Sequence, residues 1–411
     1  MPLPGSRSAA VPFILVTIFL DVLAFGIAIP VLPEIIRQMT EGSADLAARW
    51  TGLLMAGFAF MQFVFAPILG ALSDRFGRRT ILLASAFGAA LDHLVVVFAP
   101  TVWWLLVGRM LCGVTAASFP VANAYIADIT PPEHRARGFG LLGAALGLGF
   151  VLGPIIGGVL GGIDLRLPFM VAAGLAGLSF IYGFLVLPES LPAEHRRPFR
   201  WSQANPAASL LALRENPTVM GLAGTLVCLM LAFGVLQSVW VLSTAERFGW
   251  SPLENGLSLT LVGFATALVQ GALLSPIVKR LGDRRTILGG IGTMLLAYVA
   301  YGLAPAGVVF CAAILMHTLG GVASPTMQGL ITRSVDPGRQ GAVQGAITSL
   351  NNLTFIAAPM IGAGLFAGFT GPAAALPLPG IPFLFGAASL GAAFLIARRV
   401  LGRMPVAVPA E

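Results

Sequence analysis

Gly70-Ala-Leu-Ser-Asp74-Arg75-Phe-Gly77-Arg78-Arg79-Thr80 is a short, charged, glycine-containing turn set between two long apolar runs. An echo stands at Lys279-Arg280-Leu-Gly282-Asp283-Arg284-Arg285-Thr286. In both copies Arg-Arg-Thr-Ile-Leu opens the next apolar run, at Arg78 and again 206 residues later at Arg284. A second echo pairs Thr130-Pro-Pro-Glu-His-Arg135-Ala-Arg137-Gly138 with Val335-Asp-Pro-Gly-Arg339-Gln-Gly341, Arg135 and Arg339 being 204 residues apart. A chain that repeats a hairpin halfway along reads as two equivalent halves. In a membrane protein that points toward transport.

The membrane reading follows from composition: 57% of the 411 residues are hydrophobic and only 10% charged, outside the range of soluble domains. Stretches such as Trp50 to Ser73 and Thr286 to Thr332 carry no charge. A helix needs roughly 20 apolar residues to cross about 30 Å of hydrocarbon. That rule yields twelve spans, over 11–33, 50–72, 80–100, 102–127, 138–162, 167–187, 218–245, 254–278, 286–303, 306–332, 341–369 and 379–398. The expected fold is an all-α integral membrane protein of two six-helix bundles, 1–187 and 218–411. The polar stretch 188–217, rich in Pro, Arg and Glu, joins them.

Twelve spans put both termini on one side. Of the 24 Lys and Arg residues, only Arg37, Arg49, Arg166 and Arg247 fall on the opposite side, and Arg109 lies within a span. This bias predicts that both termini and the linker are cytoplasmic. It also accounts for the net charge of +7 without any nucleic-acid partner. The first apolar segment is full length and ends in Pro30-Val-Leu-Pro33, unlike a cleaved signal peptide. Cys112, Cys228 and Cys311 sit singly in three spans without metal-ligand spacing, so packing is expected of them and no cofactor or metal is. No HExxH or GxSxG motif suggests an enzyme.

Ionisable groups inside spans are candidates for function by default. Asp21 lies about ten residues, roughly 15 Å, into the first span, near the bilayer midplane. Asp92 is at similar depth in the third span, and Arg109 in the fourth. In hydrocarbon a carboxylate's charge is costly unless a cation or hydrogen bonds compensate it, so such a group can exchange a proton during a transport cycle. The alternative is a structural carboxylate paired with Arg109. His93 and His317 read as packing residues. Gln62, Asn123, Gln237, Gln270 and Gln328, with Asn351 and Asn352, either line a cavity or bridge helices. The fifth span contains Gly147-Leu-Gly149-Phe-Val-Leu-Gly153-Pro154-Ile-Ile-Gly157-Gly158, where Pro154 forces a bend and the glycines allow close packing.

These motifs resemble those of a known family. Gly70 to Thr80 is similar to the loop 2–3 signature of the major facilitator superfamily, Gly108-Arg109-Met-Leu-Cys-Gly113 to its helix-four arginine motif, and Gly149 to Gly158 to the helix-five motif of its drug/proton antiporters. Leu20-Asp21, Ile29-Pro30-Val-Leu-Pro33, Met61-Gln62-Phe63, Gly88-Ala-Ala-Leu-Asp92, Ala124-Tyr125-Ile-Ala-Asp128 and Leu187-Pro-Glu-Ser190 resemble the bacterial tetracycline efflux proteins more narrowly. The resemblance implies alternating access in a bacterial cytoplasmic membrane, with a monomeric functional unit, protons and a lipophilic small molecule as partners, and tetracycline as the leading substrate. It places Asp21, Asp92 and Arg109 in proton coupling, Gln62 against substrate, and Gly70, Asp74, Gly77, Arg78, Arg79 and Asp128 in a cytoplasmic gate. Two departures stand out. Gram-negative tetracycline exporters carry a His in helix eight and an Asp in helix nine, where this chain has Thr266 and Met294, and a helix-seven glutamine is replaced by Gly234. An exporter or proton symporter of an endogenous metabolite is the alternative. The second hairpin, Lys279 to Thr286, is expected to be mainly the structural counterpart of the first.

Overall fold

A computed structural model describes residues 5–116, 118–131, 134–192, 194, 196, 216–336, 340–370 and 377–403, with side chains omitted at 5–10, 136, 341 and 342. Much of the expected linker, and Arg339 of the second echo, lie outside the described residues. Fifteen α-helices are described: α1 (Gly5–Ala28), α2 (Leu32–Met39), α3 (Ala44–Phe76), α4 (Arg78–Phe98), α5 (Val102–Thr115), α6 (Ser118–Ile129), α7 (Arg135–Ile163), α8 (Leu167–Val186), α9 (Pro217–Phe248), α10 (Pro252–Leu268), α11 (Leu274–Leu303), α12 (Gly307–Gly320), α13 (Ala323–Arg333), α14 (Gln340–Thr370) and α15 (Ile381–Gly402). No strand occurs among the described residues.

Eleven helical stretches are long and apolar enough to cross a membrane. One of them, Pro252–Leu303, has 52 residues. At 1.5 Å per residue it would measure roughly 78 Å, more than twice the hydrocarbon thickness of about 30 Å. It turns at Gly282, whose φ of 73° and ψ of 164° lie outside the helical region. The stretch is therefore the expected eighth and ninth spans, giving twelve crossings. Gly77 (φ 102°, ψ 153°) makes the same turn between α3 and α4. Only glycine adopts such angles without a steric penalty.

The two glycines are 205 residues apart, and so are three pairs of prolines: Pro12 and Pro217, Pro120 and Pro325, Pro154 and Pro359. Pro120 and Pro325 explain a departure from the expected spans. A proline has no N–H to serve the carbonyl four residues back. Pro120 thus deprives Ala116, and Pro325 deprives Gly321. The fourth span breaks there into α5 and α6, with Ala116 at φ −75°, ψ 70°. The tenth breaks into α12 and α13 across Gly321. The first span ends sooner than expected, at Ala28, and α2 follows as a separate short helix with Pro33 in its first turn.

Contacts gather the chain into two compact units: residues up to Asn205 with Val241–Gly263, and Pro206–Trp240 with the residues from Phe264 onward. In the first, α1 lies against α7 and α8, α3 against α5, and α4 against both α5 and α8. Its buried core takes Ile14 and Ile18 from α1, Ile81 and Leu82 from α4, Tyr125 and Ile126 from α6, and Leu142 from α7. In the second unit α11 lies against α12 and α15, repeating the contacts of α4. Large apolar side chains also cover the outside: Phe98, Ile163, Leu185 and Val308 are each at least 73% exposed. In water such surfaces would drive association; in a bilayer they meet lipid. Trp50 and Trp103, near the N-terminal ends of α3 and α5, pack edge to face at 4.7 Å.

Candidate functional site

The polar groups of the first unit's spans fall into separate arrangements. Asp92 (α4) and Arg109 (α5) meet as an ion pair, Nη2 to Oδ2 2.6 Å, with side chains 1% and 9% exposed. The contact is off the hydrogen-bonding direction, so neither Asp92 oxygen nor Arg109 Nε gains a directed hydrogen bond. Charge neutralisation carries the pair. Gly108 makes room for it, since a Cβ there would stand 3.0 Å from Asp92 Oδ1. His93 is buried, its ring 6.2 Å from that of Phe169.

Asp21 is differently placed. Ser179 of α8 donates from Oγ to Asp21 Oδ1 at 2.8 Å, while Oδ2 has no hydrogen-bond partner. No Lys or Arg pairs with Asp21 among the described residues. Of the two intramembrane carboxylates, Asp92 has a cation, while Asp21 has serine hydroxyls, of Ser179 and Ser118, and no cation among the described residues.

Gln62 answers the break in the fourth span: its Nε2 donates at 3.5 Å to the Ala116 carbonyl that Pro120 leaves unserved. Ser85 likewise donates to the Thr115 carbonyl at 2.5 Å. Asn123 turns back along its own helix to Phe119 O at 3.0 Å. In the second unit Gln237 is half-buried and Gln328 exposed. Gln270 is exposed within a π-helical turn, Val269–Leu273, that joins α10 to α11. Such turns widen a helix and concentrate at functional positions.

The hairpin between α3 and α4 carries a network of ion pairs and hydrogen bonds. Arg78 Nη1 reaches Asp74 Oδ1 at 2.5 Å and Ser73 Oγ at 2.6 Å, and its Nε reaches Asp128 Oδ2 at 3.2 Å. Ser190 Oγ donates to the same Asp128 oxygen at 3.2 Å. Glu189 Oε1 accepts from three backbone N–H groups, Arg78 at 2.8 Å, Ser190 at 3.0 Å and Leu191 at 3.1 Å. A carboxylate there satisfies the first free donor of α4 and complements its dipole. Tyr125 Oη donates to Pro188 O at 2.8 Å, and Arg79 donates to Phe184 O with its guanidinium 5.7 Å from the Phe184 ring. The expected trio of Asp74, Arg78 and Asp128 is thus brought together. Arg79 anchors the end of α8 instead of joining it, and Gly70 contributes only its carbonyl, which accepts from Ser73 Oγ at 2.7 Å. Glu189 and Ser190 were missed as cluster members, although their motif sits where the sixth span gives way to the polar linker.

The fifth-span motif presents two faces. A Cβ at Gly149 would stand 2.8 Å from Val22 Cγ1, one at Gly153 2.7 Å from Gly26 Cα, and one at Gly157 would strike Ile27 O, all on α1. On the other face Gly158 fits against Pro252 O (2.7 Å) and Leu253 Cα (3.0 Å), and the Pro154 carbonyl lies where a Cβ on Gly256 would go. Thr260 Oγ1 donates to Val151 O at 3.0 Å between the same two helices. Spacing of four residues sets the first face, which is why small side chains recur at that interval.

The model for the family described as Major Facilitator Superfamily matches residues 14–359 and 222–410. The chain belongs to the major facilitator superfamily. It is 39% identical over 375 residues to the tetracycline resistance protein, class C, of Escherichia coli, covering 91% of this chain and 93% of that one. The class G protein of Vibrio anguillarum is 36% identical, covering 89% and 92%. Among solved structures, the human organic anion transporter MFSD10 (TETRAN) superposes with a TM-score of 0.68 at 23% identity, covering 97% of this chain and all of that one. The nucleoside transporter NupG gives 0.77 at 11% identity, covering 96% and 100%, a likeness of fold alone. As a major facilitator protein the chain is a multi-pass membrane transporter of small molecules.

Proposed function

We propose that the protein exports a lipophilic, drug-like compound from the bacterial cytoplasm in exchange for protons, with tetracycline the leading substrate. Its relatives named as tetracycline resistance proteins support export of a drug. The observation that carries proton coupling is the contrast between the two carboxylates. Asp92 has Arg109 to balance it, whereas Asp21 has serine hydroxyls, of Ser179 and Ser118, and no cation among the described residues. A carboxylate without a cation is balanced by a proton or by a cationic substrate. Binding of one displaces the other, which couples the two flows. Asp92 and Arg109 then hold α4 and α5 together beside the pathway. The Arg78 cluster ties the hairpin to the ends of α6 and α8 and biases the access states, which differ by a few kcal/mol. Both termini are placed in the cytoplasm, and the functional unit is a monomer of two six-helix bundles.

The test is a susceptibility panel in an efflux-deficient bacterial host, with tetracycline among many compounds, followed by uptake into energised inverted vesicles. Raised tetracycline resistance, with uptake abolished by an uncoupler, is expected. Resistance to none of the compounds would sink drug export. Thr266 and Met294 favour a second reading, an exporter or symporter of an endogenous metabolite. Met294 is buried, and its backbone N and Cγ crowd Gly320, so it offers no charge to a substrate.

A further inference from the structure

The second hairpin is more than a plain copy of the first. Counted from the glycine that turns each hairpin, positions 205 residues apart correspond: Gly77 with Gly282, Arg78 with Asp283, and Asp74 with Lys279. The Arg-Arg-Thr-Ile-Leu run lies one place further along in the second copy, so Asp283 is the residue added at the start of the ninth span. At the far end of the broken helices, Asp128 of α6 corresponds at the same interval to Arg333 of α13. The first-half charges, negative at 74, positive at 78 and negative at 128, are all inverted at 279, 283 and 333. The contact persists through the inversion. Arg333 Nη2 meets Asp283 Oδ2 at 2.5 Å, as Arg78 Nε meets Asp128 Oδ2 at 3.2 Å, and each pair spans 50 residues.

We propose that Asp283 and Arg333 are a second cytoplasmic latch, opposite in polarity to the Arg78–Asp128 latch, that positions the 8–9 hairpin during transport. An exposed ion pair is ordinarily worth little. Here four basic neighbours, Lys279, Arg280, Arg284 and Arg285, surround Asp283 in sequence, yet its partner is the one residue equivalent to the first half's own partner. Chance surface pairing does not select that position, nor preserve the bond while exchanging both signs. Thr332, next to Arg333, is tied down as well: Gln340 Nε2 donates to its carbonyl and Gln344 Nε2 to its hydroxyl, both at 3.1 Å. The latch thus fixes the hairpin to a helix end that is itself held.

The test compares Asp283→Arg, Arg333→Asp and the double reversal with the parent, by initial rates of tetracycline uptake into energised inverted vesicles and by thermal midpoint in detergent. Each single reversal is expected to lower the maximal rate about two- to fivefold, the range an exposed pair supports, with KM and midpoint unchanged. The double reversal, which copies the first half's polarity, is expected to restore the rate. Singles that transport like the parent, or a double no better than the singles, overturn the latch. Because the rate readout rests on the export reading, trypsin supplies an independent one. Asp283→Asn should speed tryptic cleavage at Lys279 to Arg285 in membranes open on the cytoplasmic side, with Arg333→Gln doing the same. Unchanged cleavage overturns the latch whatever the parent transports, and a parent inactive on tetracycline with accelerated cleavage in the variants faults the substrate alone.

Discussion

Removing the Arg109 side chain should expose how the buried pair is held. Its guanidinium is the cation 2.6 Å from Asp92 Oδ2, and both groups are almost wholly out of contact with solvent. Arg109→Ala leaves an Asp92 carboxylate 1% exposed with no counter-charge and no directed hydrogen bond. Breaking one partner from a buried pair costs about 3–5 kcal/mol, whereas replacing both by neutral groups of similar shape is nearly neutral. Uptake of a proton by Asp92 caps the loss, so the lower end of that range is expected. Asp92→Asn leaves Arg109 uncompensated and should cost a similar amount. The double change Asp92→Asn with Arg109→Gln should recover most of the stability without recovering uphill transport. Thermal midpoints of the four proteins in detergent, read by size-exclusion after heating, form a double-mutant cycle. If Arg109→Ala melts with the parent, or the double change melts no higher than the singles, the pair does not hold α4 to α5.

Three further outcomes follow from close contacts. Gly77→Ala places a Cβ where the Glu189 carboxylate sits and forces a non-glycine residue to φ 102°. It should cost about 1–3 kcal/mol locally and increase cleavage of the hairpin by trypsin at Arg75, Arg78 or Arg79. Glu189→Ala should do likewise through loss of three backbone hydrogen bonds, with Glu189→Gln milder because one amide oxygen can still accept. Gly153→Leu, whose first carbon would stand 2.7 Å from Gly26 Cα, should separate α7 from α1 at about 1–3 kcal/mol and lower vesicle uptake; Gly147→Leu, in open space, should do neither.

The twelve spans were legible because hydrocarbon thickness and apolar length leave little freedom, and the charge bias made their count self-checking. Asp21, Asp92 and Arg109 stood out because ionisable groups are so rare within those runs. Which carboxylate has the cation was not legible, since Asp21 and Asp92 are alike in depth and only packing brings Arg109 to one of them. The breaks at Ala116 and Gly321 had a signal in Pro120 and Pro325, at equal spacing in the two halves, but each looked like one tolerated proline in an apolar run. Glu189 was hidden differently: a carboxylate at the start of a polar linker reads as solvated until the first N–H of α4 is found above it. In the second hairpin, aligning the Arg-Arg-Thr-Ile-Leu run sets the register one residue away from Gly282 and conceals that the charges are inverted.

Proton exchange at Asp21 is tested most directly by separating uphill transport from exchange. Parent protein and Asp21→Asn, reconstituted in proteoliposomes, are compared for tetracycline counterflow at equal pH and for tetracycline accumulation driven by an imposed proton gradient. The parent should do both. Asp21→Asn should retain counterflow and lose accumulation, because an amide binds in place of the carboxylate but carries no proton. Accumulation by Asp21→Asn at the parent's rate would contradict the assignment of Asp21 as the proton carrier.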